Sequence, residues 1–375
     1  MALSEHVRGA RAMPPRFHWF WPFIREEELP WAIMTARPGE QIVLQSIDRE
    51  AAPRAGRHGP VTVVRDLPDV RRNVSRSAWL LSRSGTYLQR AVARQRLARS
   101  SDFDLLHIHY FNRFTDFLAP LTHPLVISVH DVLPHQARLG RGEQLLARAL
   151  YRRADALVVH HEALRDRLVE ALAVPSGKIH VVPHQVFEAP PTPAPPRDHP
   201  PMVLLFGALR PNKGLEVLLD AVTLMAGEEL RVTIAGRGSP HLEAMAREAA
   251  EADPRIHVEI GFADLERKHQ LFADASLVVL PYTAFESQSG VLHDAYAQSR
   301  PVVVSDVGAL GETVRQDGTG LVVTPGDSNS LAEAIREVVQ PREWALFAAA
   351  ANRVRADRSP ERCGERLRTV YDSVL

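Results

Sequence analysis

Two carboxylates and two serines stand close together in the segment PYTAFESQSGVLHDAYA, which begins at residue 281. The apolar run before the segment predicts a buried strand, and the pattern within it predicts a helix. Ser287 and Ser289 are residue types that cap helices, so we expect the backbone amides of this turn to face an anion. Glu286 precedes the helix and Asp294 lies in its second turn, a spacing that lets two carboxylates reach different hydroxyls of one ligand. A helix cap with a solvated Asp294 is the alternative.

Two cations follow another predicted strand, in LLFGALRPNKGLEVLLDAV at residues 204–222. Arg210 and Lys213 lie in a short loop that begins at Gly207 and leads into a helix. Arginine binds phosphate through two parallel hydrogen bonds and lysine acts as a point charge, so a diphosphate would fit here. The Walker pattern is absent, which excludes a P-loop. Two solvated loop cations are the alternative.

A histidine ends the predicted strand in VISVHDVLPH. Ligands of doubly wound sheets bind beyond the carboxyl ends of the strands, so we expect His130 to contact a substrate hydroxyl. A buried structural histidine is the alternative in a chain with 17 histidines.

Two short patterns resemble metal sites. Asp102 and Asp104 form a D-x-D motif directly before a strand, where a turn cap is the better interpretation. His107 and His109 lie on one face of a strand, but the local sequence supplies no third ligand. We therefore expect no metal and no other cofactor.

Short β-branched runs such as EQIVLQSI, LVISVHDV, MVLLFGAL and PVVVSDV alternate with amphipathic stretches along the chain. Continuous apolar strands separated by helices predict parallel sheets covered on both faces. The segment EAPPTPAPPRDHPPM predicts a stiff linker. We expect an α/β fold of two doubly wound domains facing across a cleft, followed by a helix that packs back on the N-terminal domain. The expected parts are residues 1–187, the linker 188–201, residues 202–358 and the helix 359–375.

The composition is that of an ordinary globular protein, with 375 residues, 45% hydrophobic residues and a mean hydropathy of -0.16. No apolar run reaches the roughly 18 residues that a membrane span needs. The start lacks the apolar core of a secretion signal. Cys363 is the single cysteine, which excludes an internal disulfide and a cysteine-based zinc site. We expect a cytoplasmic protein.

Positive charge is concentrated in the first half, where residues 1–190 hold 26 basic and 19 acidic side chains although the whole chain is neutral. If residues 72–96 are helical, Arg76, Arg83 and Arg90 share a face that Trp79 flanks. Such a face suits an anionic acceptor or peripheral contact with the inner face of the cell membrane. A solvated arginine-rich face is the alternative, and we expect no nucleic-acid partner.

Three motifs in order, G-A-L-R-P-N-K-G-L, I-A-G-R-G and E-S-Q-S-G-V-L-H-D-A-Y-A, are similar to those of the retaining glycosyltransferases of family 4. The resemblance is clear over residues 100–340 and covers 16–100 in outline. It implies the GT-B fold of two Rossmann-like domains. The N-terminal domain would bind the acceptor and the domain at 202–358 the nucleotide-sugar donor.

The resemblance also implies roles for the residues above. Arg210 and Lys213, with Gly207, would bind the donor diphosphate. Glu286 would contact the donor sugar and Asp294 the ribose of the nucleotide. The family's Gly-Arg pair is Gly-Ala here, so Arg210 must supply the charge.

Further roles follow from the same resemblance. The amides of Gln288, Ser289 and Gly290 would hold the donor sugar and phosphate, and Gly261 and Phe262 would contact the nucleobase. His130 would lie near the reacting carbon, which makes it and the sugar-binding Glu286 the candidate catalytic residues.

The function expected from this resemblance is transfer of a sugar from a nucleotide-sugar donor to a hydroxyl of a glycan, lipid-linked or small-molecule acceptor. The enzyme would be a metal-independent, retaining glycosyltransferase of class EC 2.4, of the kind used in polysaccharide or glycoconjugate biosynthesis. A nucleotide-sugar 2-epimerase and a catalytically degenerate GT-B binding module are the alternatives.

Overall fold

The structure, a computed structural model, describes residues 14–22, 24–47, 52–69, 76–99, 102–109, 124–130, 141–187, 200–285 and 289–375. The chain divides into two compact units. The first consists of Met1–Ser128, Leu145–Leu157 and Leu367–Leu375, and the second of Val129–Gln144 and Val158–Arg366.

Among the described residues of the first half of the chain, eight strands form one sheet in the order β3-β4-β2-β1-β5-β6-β7-β8. Strand β1 pairs in parallel with both of its neighbours, and the edge strand β3 is antiparallel to β4. The three short strands β5, β6 and β7 are buried along their whole length, as continuous apolar runs predict. The strands are β1 (Arg16–Phe20), β2 (Gln41–Ile47), β3 (Gly56–His58), β4 (Val61–Leu67), β5 (Leu105–Ile108), β6 (Leu125–Ser128), β7 (Ala156–Val159) and β8 (Ile179–Val181). The helices of this part are α1 (Leu29–Thr35), α2 (Arg76–Ala98), α3 (Arg141–Arg153) and α4 (Glu162–Leu172).

In the described ranges 200–285 and 289–375, six parallel strands form the second sheet, in the order β11-β10-β9-β12-β13-β14. Successive residues of β9 join two different apolar clusters, so helices cover both faces of this sheet. The strands are β9 (Met202–Phe206), β10 (Arg231–Gly236), β11 (Ile256–Ile260), β12 (Leu277–Leu280), β13 (Val302–Ser305) and β14 (Gly320–Val323). The helices are α5 (Leu215–Leu224), α6 (Pro240–Ala252), α7 (Leu265–Asp274), α8 (Gly290–Ala297), α9 (Leu310–Asp317), α10 (Ser328–Val338), α11 (Pro341–Asp357) and α12 (Pro360–Asp372). The expected α/β class with two parallel-sheet domains is confirmed.

The last nine residues of the chain belong to the first compact unit. Arg368 of α12 forms a buried ion pair with Glu40, in which two guanidinium nitrogens bond both carboxylate oxygens. The Tyr371 hydroxyl lies 2.6 Å from Nδ1 of His107. These contacts attach the end of α12 to Glu40, the residue before β2, and to His107 of β5. Most of the expected linker, 188–199, lies outside the described residues.

Among the residues that the structure describes, none of the helices combines the length and the apolar character needed to span a membrane.

We predict that replacing Arg368 by Leu lowers the free energy of unfolding by about 3–5 kcal/mol, because it leaves the Glu40 carboxylate buried without its cation. The matched control is Arg37→Leu. Arg37 pairs with Asp372 at the surface, where both side chains are at least 40% exposed, so its loss is expected to cost about 1 kcal/mol or less. Urea denaturation of both variants measures the difference, and equal losses would contradict the assignment.

Candidate functional site

The loop that carries Arg210 and Lys213 packs against the chain after β12. Strands β9 and β12 are parallel neighbours, so the loops that follow them both start at the carboxyl ends of the strands, on the same side of the sheet. Gly214 has a φ of +71°, and a Cβ at this position would lie 1.8 Å from the carbonyl oxygen of Pro281. Only glycine therefore permits this approach of the two loops.

Lys213 lies on aromatic rings. Its Nζ is 3.6 Å from the centroid of the Tyr282 ring and 4.7 Å from that of the Phe285 ring. Burial, and then the charge of Arg210, lower the pKa of Lys213 to about 8. The ammonium therefore keeps its charge at neutral pH while it has little water around it, a condition that strengthens its attraction for an anion.

Tyr282 connects Lys213 to the start of α8. The Tyr282 hydroxyl lies 3.0 Å from the Ser289 Oγ, and burial raises the pKa of Tyr282 to about 12. Ser289 is the N-cap residue of α8, as predicted, but its side chain bonds Tyr282 instead of capping the helix. Gly290 is the first helical residue. Its N–H is therefore one of those at the helix N-terminus that point out of the helix and have no acceptor within it. Sequence reasoning missed Tyr282 and Phe285, because nothing in the spacing indicates that their rings lie beneath Lys213.

Of the two predicted carboxylates, Asp294 is described. It is 7% exposed, and its Oδ1 accepts a hydrogen bond of 3.1 Å from Nζ of Lys268, which is 8% exposed. The alternative of a solvated Asp294 is therefore wrong. Lys268 lies in α7, and no signal in the sequence links it to Asp294. Glu286, Ser287 and Gln288 lie outside the described residues.

The predicted nucleobase residues follow β11. Gly261 has a φ of +148°, and Phe262 is 85% exposed, which is unusual for a large apolar side chain. Gly207 follows β9 with a φ of +109°. The roles of these three residues stay predictions.

His130 follows β6, at the strand end where it was predicted. It is half-buried, and its ring centroid lies 5.0 Å from that of His160. His160 follows the adjacent strand β7 and was not predicted from the sequence as a site residue.

The predicted basic face on α2 is only partly exposed. Arg83 is exposed and lies over the ring of Tyr87. Arg90 is 4% exposed, and its guanidinium donates hydrogen bonds of 2.8 and 2.6 Å to the carbonyl oxygen of Pro68. The prediction that Arg90 belongs to an exposed surface is wrong, because the chain after β4 covers this end of the helix. The side chains of Arg76 and Trp79 lie outside the described residues.

The residues of the two metal-like patterns have structural partners. The Asp104 carboxylate accepts a hydrogen bond of 2.8 Å from the amide of Arg16 at the start of β1, which is a contact between distant parts of the chain, and the turn cap stays a prediction. His107 is buried, with Nδ1 near the Tyr371 hydroxyl and Nε2 2.9 Å from the Ser128 Oγ. Both nitrogens of His107 are thus used in hydrogen bonds.

Two family models match the chain, one in each half. The model described as Glycosyltransferase Family 4 matches residues 42–186, and the model described as Glycosyl transferases group 1 matches residues 200–341. Lys213, Asp294 and the loops around them lie in the second match.

Curated relatives carry names of the same kind. A phosphatidyl-myo-inositol mannosyltransferase of Mycobacterium leprae is 27% identical over 267 residues, which are 67% of this chain and 70% of that protein. A glycogen synthase of Desulfitobacterium hafniense is 26% identical over 186 residues, which are 46% of this chain and 39% of that protein. The match thus spans about two fifths of the length of that synthase.

Solved structures share the fold over nearly the whole chain. Sucrose-phosphate synthase from Thermosynechococcus elongatus matches with a TM-score of 0.72 and 19% identity, over 96% of this chain and 98% of that chain. HepE from Anabaena, solved in complex with UDP-glucose, matches with a TM-score of 0.67 and 17% identity, over 96% of this chain and 100% of that chain. The chain has the GT-B fold of glycosyltransferases, as the sequence predicted.

We predict that the side-chain ammonium of Lys213 titrates near pH 8, so that its charge is lost as the pH rises through this value. The chain has only three lysines, Lys178, Lys213 and Lys268, so 13C-labelled lysine gives few side-chain NMR signals to assign. Arg210→Ala removes a neighbouring positive charge and is expected to raise the pKa of Lys213. Arg210→Lys keeps the charge and is the control. An unchanged pKa in both variants would contradict the proximity of the two cations.

Proposed function

We propose that this protein, which combines a Glycosyltransferase Family 4 region with a Glycosyl transferases group 1 region, is a hexosyltransferase of class EC 2.4. It would move a sugar from a nucleotide-sugar donor to a hydroxyl of a glycan, lipid-linked or small-molecule acceptor. The observation that carries the proposal is the partly buried Lys213 ammonium beside Arg210, at a strand end of the matched donor region. HepE, which shares the fold, was solved with UDP-glucose bound, and this supports a nucleotide-sugar donor here.

The arrangement suits departure of a diphosphate. When the bond between the sugar and the nucleotide breaks, negative charge grows on the phosphate oxygens. Lys213, Arg210 and the amide of Gly290 would stabilise that charge without moving, since packing already holds Lys213 and the helix in place. These groups can supply the stabilisation that a divalent cation provides elsewhere, and we therefore propose transfer without a metal.

The remaining roles belong to the same proposal. Asp294 would bind the ribose of the nucleotide, with its carboxylate oriented by the hydrogen bond from Lys268. Gln288 and Ser289 would contribute amides to the donor sugar and phosphate, and Glu286 would contact the sugar itself. His130 would lie near the reacting carbon, where the incoming hydroxyl attacks the face that the diphosphate leaves, so that the anomeric configuration is retained.

Product analysis separates this proposal from its two alternatives. A nucleotide-sugar 2-epimerase would release free sugar without an acceptor. A degenerate binding module would bind the nucleotide sugar and release nothing. A transferase gives a glycosylated acceptor whose anomeric configuration, read by NMR, also decides between retention and inversion.

Peripheral membrane contact through α2 is a further part of the proposal. Arg83 is its described and exposed residue, whereas Arg90 is buried and takes no part. The contact would bring the enzyme to a lipid-linked acceptor.

We predict that one member of the panel UDP, GDP, ADP, dTDP and CDP stabilises the protein against thermal unfolding, by about 2.7 kcal/mol at 100 times its Kd. Lys213→Ala is expected to weaken binding of that nucleotide roughly 10- to 100-fold, as expected for a lost hydrogen bond to a charged group. Binding should also weaken above pH 8, since the folded protein then loses the Lys213 charge.

The control for this prediction is Lys178→Ala, which changes a lysine in a turn before β8 and is expected to leave the affinity unchanged. If no nucleoside diphosphate stabilises the protein, or if both variants weaken binding equally, the proposed donor site is wrong.

A further inference from the structure

Arg237 follows β10 directly, in the loop that leads to α6. Strand β10 pairs in parallel with β9 on one side and with β11 on the other. The loop of Arg237 therefore starts on the same side of the sheet as the loop of Arg210, which follows β9. Ligands of doubly wound sheets bind on this side, beyond the carboxyl ends of the strands. Arg237 thus lies where a ligand of this sheet is expected.

The two glycines that flank Arg237 allow its loop to lie directly against the loop that follows β9. Gly236 has a φ of +152°, and a Cβ at this position would lie 1.8 Å from the carbonyl oxygen of Gly207. A Cβ at Gly238 would lie 2.7 Å from the Cβ of Leu209. Any larger residue at either position would push the two loops apart, so the sequence Gly-Arg-Gly keeps Arg237 close to the loop that carries Arg210.

Backbone hydrogen bonds hold this loop on both sides. The Leu209 amide donates to the Arg237 carbonyl oxygen at 2.9 Å, on the side of β9. The Gly261 amide donates to the Gly236 carbonyl oxygen at 3.2 Å, on the side of β11. The backbone of Arg237 is therefore fixed between the predicted phosphate loop and the predicted nucleobase loop.

The pairing of these loops also indicates the face on which the two arginines lie. Leu209 and Gly238 are partners in a parallel bridge, and the Leu209 side chain belongs to the apolar cluster that α5, α6 and α10 cover. Neighbouring residues of extended chain point to opposite faces, and Arg210, with a φ of -127° and a ψ of 155°, is extended. Arg210 and Arg237 each adjoin one bridge partner, so both leave on the opposite face. Tyr282, the ring beneath Lys213, packs on that opposite face with α8.

The guanidinium group of Arg237 is available to a ligand. Arg237 and Arg210 are both exposed, and within the described residues neither side chain forms a hydrogen bond or an ion pair with the protein. The acid nearest in the following helix, Glu243, is already bonded to the Gly238 amide at 3.0 Å and to Arg247 at 3.5 Å. Positive charges on adjacent loops repel one another when no acid compensates them, and a bound anion removes that repulsion.

We propose that Arg237 binds the diphosphate of the donor together with Arg210 and Lys213, an inference that rests on the proposed nucleotide-sugar donor. A diphosphate presents negative oxygens on two phosphorus atoms, so it can accept hydrogen bonds from a second guanidinium fork while the other two cations hold other oxygens. The position of Arg237 between two loops suits the phosphate chain of a ligand that lies across the ends of β9, β10 and β11.

Titration calorimetry with UDP, GDP, ADP, dTDP and CDP tests the proposal on the full chain. Arg237→Gln removes the charge but keeps a hydrogen-bond donor, whereas Arg237→Lys keeps the charge. The matched control is Arg231→Gln, because Arg231 is an exposed arginine at the opposite end of the same strand β10. All three changes are at exposed positions, so we expect the variants to unfold at the same temperature as the wild type.

We expect Arg237→Gln to weaken binding of the nucleoside diphosphate that the wild type binds by roughly fivefold or more, as for a lost hydrogen bond to a charged group. Arg237→Lys should restore most of this loss, and Arg231→Gln should stay within twofold of the wild type. The inference is overturned if Arg237→Gln binds as the wild type does, if Arg231→Gln loses as much, or if Arg237→Lys binds as weakly as Arg237→Gln. A wild type that binds none of the five nucleotides refutes the proposed donor site itself, which is a different result from a wild type that binds and an Arg237 variant that binds equally well.

Discussion

The close approach of Gly214 to Pro281 is the contact on which the geometry of the candidate donor site depends. A side chain at position 214 would overlap the carbonyl oxygen of Pro281, so the two loops meet only because the residue is glycine. The contact places Lys213 on the ring of Tyr282, whose hydroxyl reaches Ser289 at the start of α8. One backbone contact thus sets the distance between a cation and a helix N-terminus, both of which favour negative charge.

The charge state of Lys213 depends on two opposing effects, the loss of water around its ammonium and the attraction of the ammonium to the neighbouring ring faces. Removing water from an ammonium costs free energy, and the faces of the Tyr282 and Phe285 rings offset part of that cost. The resulting pKa of about 8 leaves the residue charged at neutral pH. An anion that arrives there meets a cation with few waters left to displace. Burial therefore lowers the pKa of Lys213 and also strengthens the interaction of its ammonium with phosphate.

The continuous apolar runs were sufficient to predict both sheets, since strands such as β7 and β12 are buried on both faces and have no polar residue to interrupt the run. The loop cations and the N-cap at Ser289 were also predictable, because they depend on neighbours in the sequence. The burial of Arg90 could not be predicted from its neighbours in the sequence. Helical periodicity placed it on the face of Arg83, but only the fold shows that the Pro68 carbonyl covers one end of that face.

The contacts that the sequence did not predict join residues far apart in the chain, such as Lys268 with Asp294 and His184 with His293. Two neighbouring histidines give a second reason. His160 and His161 are identical in type and adjacent, so no pattern of residue types distinguishes them. Nδ1 of His160 donates to the Val182 carbonyl, whereas Nδ1 of His161 accepts from the Leu164 amide. These backbone partners give the two rings opposite hydrogen-bonding functions. The position of the hydrogen on each ring is therefore determined by the backbone around these histidines, which only the folded chain supplies.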